Sequence, residues 1–348
     1  MEQIVNSDMI VLARESRGLT QSELSSLLKI SQGKISKVEQ GLLNANDEFL
    51  EELSHILNYP KEFFYGESKI HSGLSYHRKR MSLSAKLLNE IDAKINIRVI
   101  HIRKLLKSVE FINNNIPFWD IEEHTTPEEI AKKLRHFWKI PKGPIANLIE
   151  IIEANGGIVV MFDFQTKKID GLSLHIEDLP PIFYLNNSIP GDRLRFTLAH
   201  ELGHIVMHQY PTDTMEKEAD LFASEFLMPK DDIMFQLENL DFYKLADLKR
   251  YWKVSMASLI MRASLLDLLT PSKKQGLWFQ LSKSGYKTKE PIEIPKEQPS
   301  LINEIINLYS NDLNYSNEEI SNLLLLNIEE FVEIYREKDK IFRLYLNK

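Results

Sequence analysis

The stretch Asp192-Arg193-Leu194-Arg195-Phe196-Thr197-Leu198-Ala199-His200-Glu201-Leu202-Gly203-His204-Ile205-Val206-Met207-His208 decides how this chain is read. From Asp192 to Met207 the pattern is helical and strongly apolar on one side. His200 and His204 stand four residues apart, so successive turns put both imidazoles on one face, where they can hold one metal ion. Glu201, next to the first histidine, is placed to act as general base on an attacking water. His208 continues the same face, but three histidines in line along a helix cannot all reach one ion. It reads as a supporting or structural residue.

A catalytic metal site needs a third protein ligand and an open position. Downstream, Glu216-Lys217-Glu218-Ala219-Asp220 begins a helix whose apolar positions are Ala219, Phe222, Ala223 and Phe226. Glu216 and Asp220 lie one turn apart and can face the ion together. Glu216 is then the ligand, and Asp220 orients a ligand histidine through its free ring N–H. Glu218 is the rival ligand, roughly 160° round the helix from Asp220. With no cysteine in the chain, thiolate ligands and disulfides are excluded, and a zinc ion would have to be held by histidine and carboxylate.

Upstream, three strand-like runs, Ile158–Phe164, Gly171–Ile176 and Ile182–Asn186, follow the turn Asn155-Gly156-Gly157. Ile182–Leu185 could be an edge strand that takes a substrate backbone by strand addition. His175 and Tyr184 are candidates for stabilising an oxyanion. Helices are expected over Pro127–Trp138 (opened by Thr126), Ile145–Ala154, Glu216–Leu227, Pro229–Leu237, Tyr243–Trp252 and Ser255–Leu269. Pro271–Pro299, rich in Lys, Pro, Gly and Ser, reads as loop with short strands, and residues 300–340 as helical again. In that last segment Tyr315-Ser316-Asn317-Glu318-Glu319-Ile320 followed by Leu323–Leu326 suggests a capped helix pair. No internal repeat or low-complexity run stands out.

The run Arg193–His204 with His208, the run Glu216–Ala223 closed by Phe226-Leu227-Met228-Pro229, and the upstream Pro180–Asn186 together resemble the ImmA/IrrE family of metallopeptidases. The resemblance covers about residues 125–270. It implies a gluzincin-like fold with zinc as the metal, His200 and His204 as ligands, Glu201 as the catalytic residue and Glu216 as third ligand. It also implies a substrate that is often a helix-turn-helix repressor of a phage, mobile element or stress regulon.

Residues 8–66 read as five short helices with tight joints. Gly18 ends the first, Thr20 with Glu23 forms a capping box for the second, and Ser31 caps a third that stops at Gly41. Leu19-Thr20-Gln21-Ser22-Glu23-Leu24 through Ser31-Gln32-Gly33-Lys34-Ile35-Ser36-Lys37-Val38-Glu39-Gln40-Gly41 resembles the XRE/Cro-type helix-turn-helix of phage repressors. That resemblance implies a phosphate contact from Gln21 and a recognition helix in which Gln32, Lys34, Ser36 and Lys37 meet DNA. Gln can pair with adenine, and Lys with guanine or phosphate. Residues 1–66 hold six Lys/Arg against ten acids, yet Lys29, Lys34 and Lys37 cluster on the reading surface. Modules of this type commonly bind as dimers on two half-sites, and a homodimer would fit that pattern.

Between Lys69 and Lys107 the basic residues are Lys69, Arg78, Lys79, Arg80, Lys86, Lys94, Arg98, Arg103, Lys104 and Lys107, against Glu90 and Asp92. Ser82-Leu83-Ser84 could start a long helix with Leu87, Leu88, Ile91, Ile95, Val99 and Ile102 at helical spacing.

The expected fold is mainly α with a small β-sheet (α+β), in four parts. These are a helix-turn-helix domain at 1–66, a basic helical connector at 67–115, a gluzincin-like zinc peptidase domain at 116–270, and a helical C-terminal region at 271–348 of unassigned role. The 348 residues, 43% hydrophobic and 27% charged, fit two or three globular domains. No apolar run reaches the roughly 18 residues that span a bilayer, and the N-terminus lacks a secretory pattern, so a cytoplasmic location is expected. The leading expectation is a DNA-binding transcriptional regulator whose zinc endopeptidase cleaves itself or a partner repressor. The alternative is a regulator whose peptidase-like domain is a sensor or dimerisation module with little proteolysis. An intact Glu201 favours the enzyme, because a metal-binding scaffold has no need of it.

Overall fold

The computed structural model describes residues 4–67, 83–109, 115–121 and 125–336. The expectations for Lys69, Arg78, Lys79, Arg80 and Ser82 lie outside them. The chain divides into two compact units, Met1–Phe111 with Ile302–Lys348, and Ile112–Leu301.

The first unit opens with α1 (Ser7–Ser16), α2 (Gln21–Leu27), α3 (Gln32–Glu39) and α4 (Asp47–Leu57), followed by a 3-10 turn at Lys61–Tyr65. Their ends are written in the sequence. Thr20 and Glu23 make the reciprocal capping box of α2. Gly18 takes the left-handed conformation (φ +64°) that lets the chain leave α1. Ser31 holds the N-cap position of α3, though its side chain makes no cap bond. The long helix α5 (Ala85–Leu106) is capped by Ser84. Its basic residues suggested a connector, but Ile91, Ala93, Ile95, Ile97, Val99, Ile100, Ile102 and Leu105 are all buried, and α1 packs on it. Apolar residues on both sides make a core helix of it, with its lysines and arginines at the margins.

The second unit runs α6 (Pro127–Phe137), α7 (Leu148–Ala154), β1 (Ile158–Phe162), β2 (Gly171–Leu174), β3 (Ile182–Asn186), α8 (Gly191–Met207), α9 (Met215–Leu227), α10 (Lys230–Leu237), α11 (Phe242–Trp252), α12 (Met256–Leu265) and α13 (Pro271–Lys283). The sheet order is β1-β3-β2, with β1 parallel and β2 antiparallel to β3. Ile182–Leu185 is therefore the central strand and not an edge. All five β3 residues are buried, as a continuous apolar run requires when both faces and both edges are covered. One sheet face, carrying Val159, Phe183 and Leu185, packs against Leu194, Leu198 and Leu202 of α8.

Pro271–Pro299 departs from the expected loop with strands. Its first half is the helix α13, capped by the Thr270 side chain, with Pro271 preset for the first turn and Leu277 and Leu281 buried one turn apart. The composition of the segment concealed this spacing. No strand occurs in this segment among the described residues. The chain after α13 ties the unit together. Glu290 accepts from Lys249 Nζ (2.7 Å) and from the Met256 amide (3.0 Å). Glu297 pairs with the buried Arg195 and accepts the α7 amides of Leu148 (2.8 Å) and Ile149 (3.1 Å).

The last helices, α14 (Leu301–Asn311), α15 (Asn317–Leu323) and α16 (Ile328–Tyr335), pack into the first unit. Tyr309 donates to the Leu105 carbonyl at the end of α5 (3.0 Å), and Ile306, Ile320, Leu324 and Phe331 are fully buried. The described residues are α-helical with one small sheet, the α+β class expected.

Candidate metal centre

The site is made by two helices and a strand that approach closely because their contact residues are small. A Cβ on Gly203 would sit 3.0 Å from Phe222 Cδ1 and 3.4 Å from Ala219 Cα, so glycine lets α8 and α9 come together. A Cβ on Gly171 would sit 2.8 Å from Thr197 Cγ2 and 2.9 Å from the Tyr184 carbonyl, so glycine also lets β2 lie on α8.

The first contact carries the metal-ligand geometry. His200 Nε2 and His204 Nε2 face each other at 3.0 Å. Glu216 on α9 stands across from both, with Oε2 3.8 Å from His200 Nε2 and Oε1 3.6 Å from His204 Nε2. All three ligand atoms fall within 4.8 Å of one another, the one His/Asp/Glu group with metal-ligand spacing among the described residues. A tetrahedral zinc ion holding nitrogen and oxygen at about 2.0–2.1 Å separates its ligand atoms by about 3.3 Å, so the set fits such an ion with small side-chain shifts.

The rings' other nitrogens show how the pair is held. His200 Nδ1 meets Asp220 Oδ1 at 2.8 Å. His204 Nδ1 meets His208 Nδ1 at 2.9 Å, and His208 Nε2 meets Glu218 Oε2 at 3.0 Å. One protonation pattern satisfies these three contacts and leaves both facing Nε2 lone pairs for a cation. His200 Nδ1–H donates to Asp220, His204 Nδ1–H donates to His208, and His208 Nε2–H donates to Glu218. Glu218, the rival ligand, thus ends a relay behind His204 and does not stand beside Glu216. Burial alone pushes the His200 pKa down. The Asp220 hydrogen bond and the charges of Glu201, Asp220 and Glu216 outweigh it and raise the value. For His208 burial wins over the Glu218 bond and lowers it.

The second contact reaches Glu201. Ser173 on β2 donates its hydroxyl to Glu201 Oε2 at 2.8 Å. Sequence reasoning missed Ser173, since nothing local marks a serine in a strand as the partner of a helix residue 28 positions on. Tyr184 is ruled out as an oxyanion group. Strand residues alternate between faces, and Phe183 and Leu185 take the α8 side, so Tyr184 points to the opposite face, where it packs edge-on to Phe162 at 5.7 Å. His175 is exposed immediately after β2.

In the first unit, Gln32, Lys34 and Lys37 are exposed on α3, with Lys34 Nζ 5.3 Å above the Phe49 ring. Ser36 is half-buried and accepts from Gln40 Nε2 (3.3 Å). Gln32 donates to Gln21 Oε1 (2.9 Å), and Gln21 donates to Glu39 Oε2 (2.8 Å), the carboxylate also held by Arg14. Two of the five residues expected at DNA are therefore linked to each other and anchored to a buried ion pair.

Two facing imidazoles from successive turns, a carboxylate from the next helix and a glutamate beside the first histidine define a metallopeptidase-type domain. Residues 154–264 match the family described as the IrrE N-terminal-like domain, a peptidase family. Residues 10–64 match the helix-turn-helix family, so the chain carries a DNA-binding type of module ahead of a peptidase-type one. No curated protein matches the chain. Among the described residues no helix is long and apolar enough to cross a membrane.

Proposed function

We propose that this protein is a cytoplasmic, DNA-binding transcriptional regulator carrying a zinc endopeptidase, which cuts a helix-turn-helix repressor or the chain itself to change gene expression. The observation that carries the reading is the convergence of His200, His204 and Glu216 beside a Glu201 oriented by Ser173. His200, His204 and Glu216 would hold the zinc, with Asp220 behind His200. Bound there, the ion would lower the pKa of a water towards ~7 and polarise the scissile carbonyl.

Glu201, held at Oε2 by Ser173, takes the proton of the attacking water and passes it to the leaving amide nitrogen. Substrate backbone would run along β2, which among the described residues pairs with β3 on one side only. The Asn186 amide bonds the Asp170 carbonyl, so by antiparallel alternation Gly171 and Ser173 turn their own N–H and C=O outward. An extended peptide added there lies in front of Glu201. Gln21, Gln32, Lys34, Ser36 and Lys37 would present the operator-reading surface, in a homodimer spanning two half-sites.

The test is to co-express the chain with repressors encoded beside it and follow zinc-dependent cleavage. The wild type should cut one of them or itself, and Glu201→Gln should keep its zinc and cut nothing. Cleavage by Glu201→Gln would sink the mechanism. A zinc-loaded wild type that cuts nothing would move the domain to a sensing role.

A further inference from the structure

The C-terminal helices repeat the helix-turn-helix at an offset of 296 residues. The second helix of the N-terminal motif starts from Thr20, whose capping box closes with Glu23; α15 starts from Ser316, whose capping box closes with Glu319. Leu28 and Leu324 end these helices. Lys29 and Leu325 then turn into the left-handed region at φ +54° and +59°. Ser31 and Asn327 are the N-caps of the following helices.

The hydrogen bonds repeat as well. Leu28 N–H donates to the Leu24 carbonyl and Leu324 N–H to the Ile320 carbonyl, both at 3.0 Å. Ile30 N–H donates to the Ser25 carbonyl (3.0 Å) and Leu326 N–H to the Ser321 carbonyl (2.9 Å). The Ser25 and Ser321 hydroxyls each donate to the carbonyl three residues back at 2.9 Å. Leu24 and Ile320, Ile35 and Phe331 fill equivalent core positions at 1% exposure or less. Ahead of each motif runs one more helix, α1 or α14, closed by a left-handed residue, Gly18 or Asn314, at the same offset. A two-helix turn repeated to this detail is a second helix-turn-helix, which residue identity alone hides.

The two motifs differ where a reading helix meets DNA. Positions held by Lys34 and Lys37 in α3 are held by Glu330 and Glu333 in α16, whose first turn also carries Glu329. A carboxylate at those places repels phosphate. Glu330 is used elsewhere. It accepts from Arg17 Nη1 and Nη2, at 3.0 and 2.7 Å. The same Arg17 donates to the carbonyls of Leu57 (2.7 Å) and Asn58 (3.0 Å), the unsatisfied end of α4. Asn327, the N-cap of α16, donates to the Asn58 side chain at 2.8 Å. A Cβ on Gly66 would come within 3.2 Å of Leu325 Cδ1, so the second turn also closes on the end of the 3-10 turn.

We infer that residues 301–335 are a second, charge-inverted helix-turn-helix that does not read DNA and whose partner is the first motif, which it braces through Glu330, Arg17 and the C-terminus of α4. Only the contrast between α3 and α16 rests on the DNA-binding reading. Amide hydrogen exchange on the full chain tests the brace. Glu330→Gln and, independently, Asn327→Ala should speed exchange around Leu57–Tyr59 about tenfold or more. Unchanged exchange in both variants overturns it.

Fluorescence anisotropy with a mixed-sequence 30-bp duplex, titrated over salt, tests the inversion. Lys37→Ala should weaken binding and reduce the salt slope by about 1, while Glu333→Gln leaves both unchanged. Tighter, steeper binding by Glu333→Gln would put α16 on DNA and overturn the assignment. A wild type with no salt-dependent binding would remove the DNA-binding reading, and the exchange experiment would still decide the brace.

Discussion

The two glutamates at the start of α9 should part company when zinc affinity is measured. Glu216 stands 3.6 and 3.8 Å from the two facing imidazole nitrogens, whereas Glu218 is 3.0 Å from His208 Nε2 and two rings removed from the ion's position. Replacing a group behind a ligand typically costs 10–100-fold in metal affinity. Glu218→Gln keeps the shape and a hydrogen-bond acceptor but loses the charge that orients His208 and, through it, His204. Its cost should fall within that range, about 1.4–2.8 kcal/mol. Glu216→Gln removes a charged donor itself and should exceed 100-fold, the upper end of that range.

Competition with a chromophoric chelator at fixed pH gives both numbers. A thermal melt gives a second reading, because zinc bound to the folded state alone stabilises it by RT ln(1 + [Zn]/Kd). Each tenfold loss of affinity then removes about 1.4 kcal/mol at saturating metal. If Glu218→Gln lost more affinity than Glu216→Gln, the ligand assignment and the relay would both be wrong.

Ser173→Ala should lower kcat about tenfold with KM and zinc content little changed, the cost of one hydrogen bond to a carboxylate at a half-buried site, and Ser173→Thr should restore part of it; a KM effect alone would make the serine a substrate contact. Gly203→Ala should destabilise the second unit by roughly 1–3 kcal/mol in a urea melt, since the added methyl meets Phe222 at 3.0 Å, and a neutral result would mean that α8 and α9 have slack. Acid should weaken the first unit through His101. Burial, then the nearby charges of Arg98 and Lys104, hold its ring neutral and push its pKa well below 6.5. The unfolded chain therefore binds a proton that the folded one refuses, and stability present above pH 6.5 is lost as pH falls below it. His101→Gln should flatten that part of the stability–pH curve, and an unchanged slope would refute the assignment.

Much of this protein follows from local sequence. The four-residue spacing of His200 and His204, the capping boxes at Thr20, Thr126 and Ser316, and the glycine that ends α1 depend on neighbours within one or two turns, and the chain fixes those whatever the rest does. Glu216 as the carboxylate facing both histidines was also legible, because helical phase separates it from Glu218. Tertiary structure decided what depends on distance along the chain. Phe183 and Leu185 cannot show by themselves whether β3 lies at the centre or the edge of its sheet. Ser173 reaches Glu201 only because Gly171 lets a strand settle on a helix. The basic residues of α5 hid a core helix, since charge is counted per residue while burial depends on which side faces the fold. The second helix-turn-helix was legible only as a capped helix pair at Ser316. Its likeness to the first lies in caps, a left-handed turn and a shared pattern of hydrogen bonds, and glutamates stand where the first reading helix has Lys34 and Lys37, one of them, Glu330, holding Arg17.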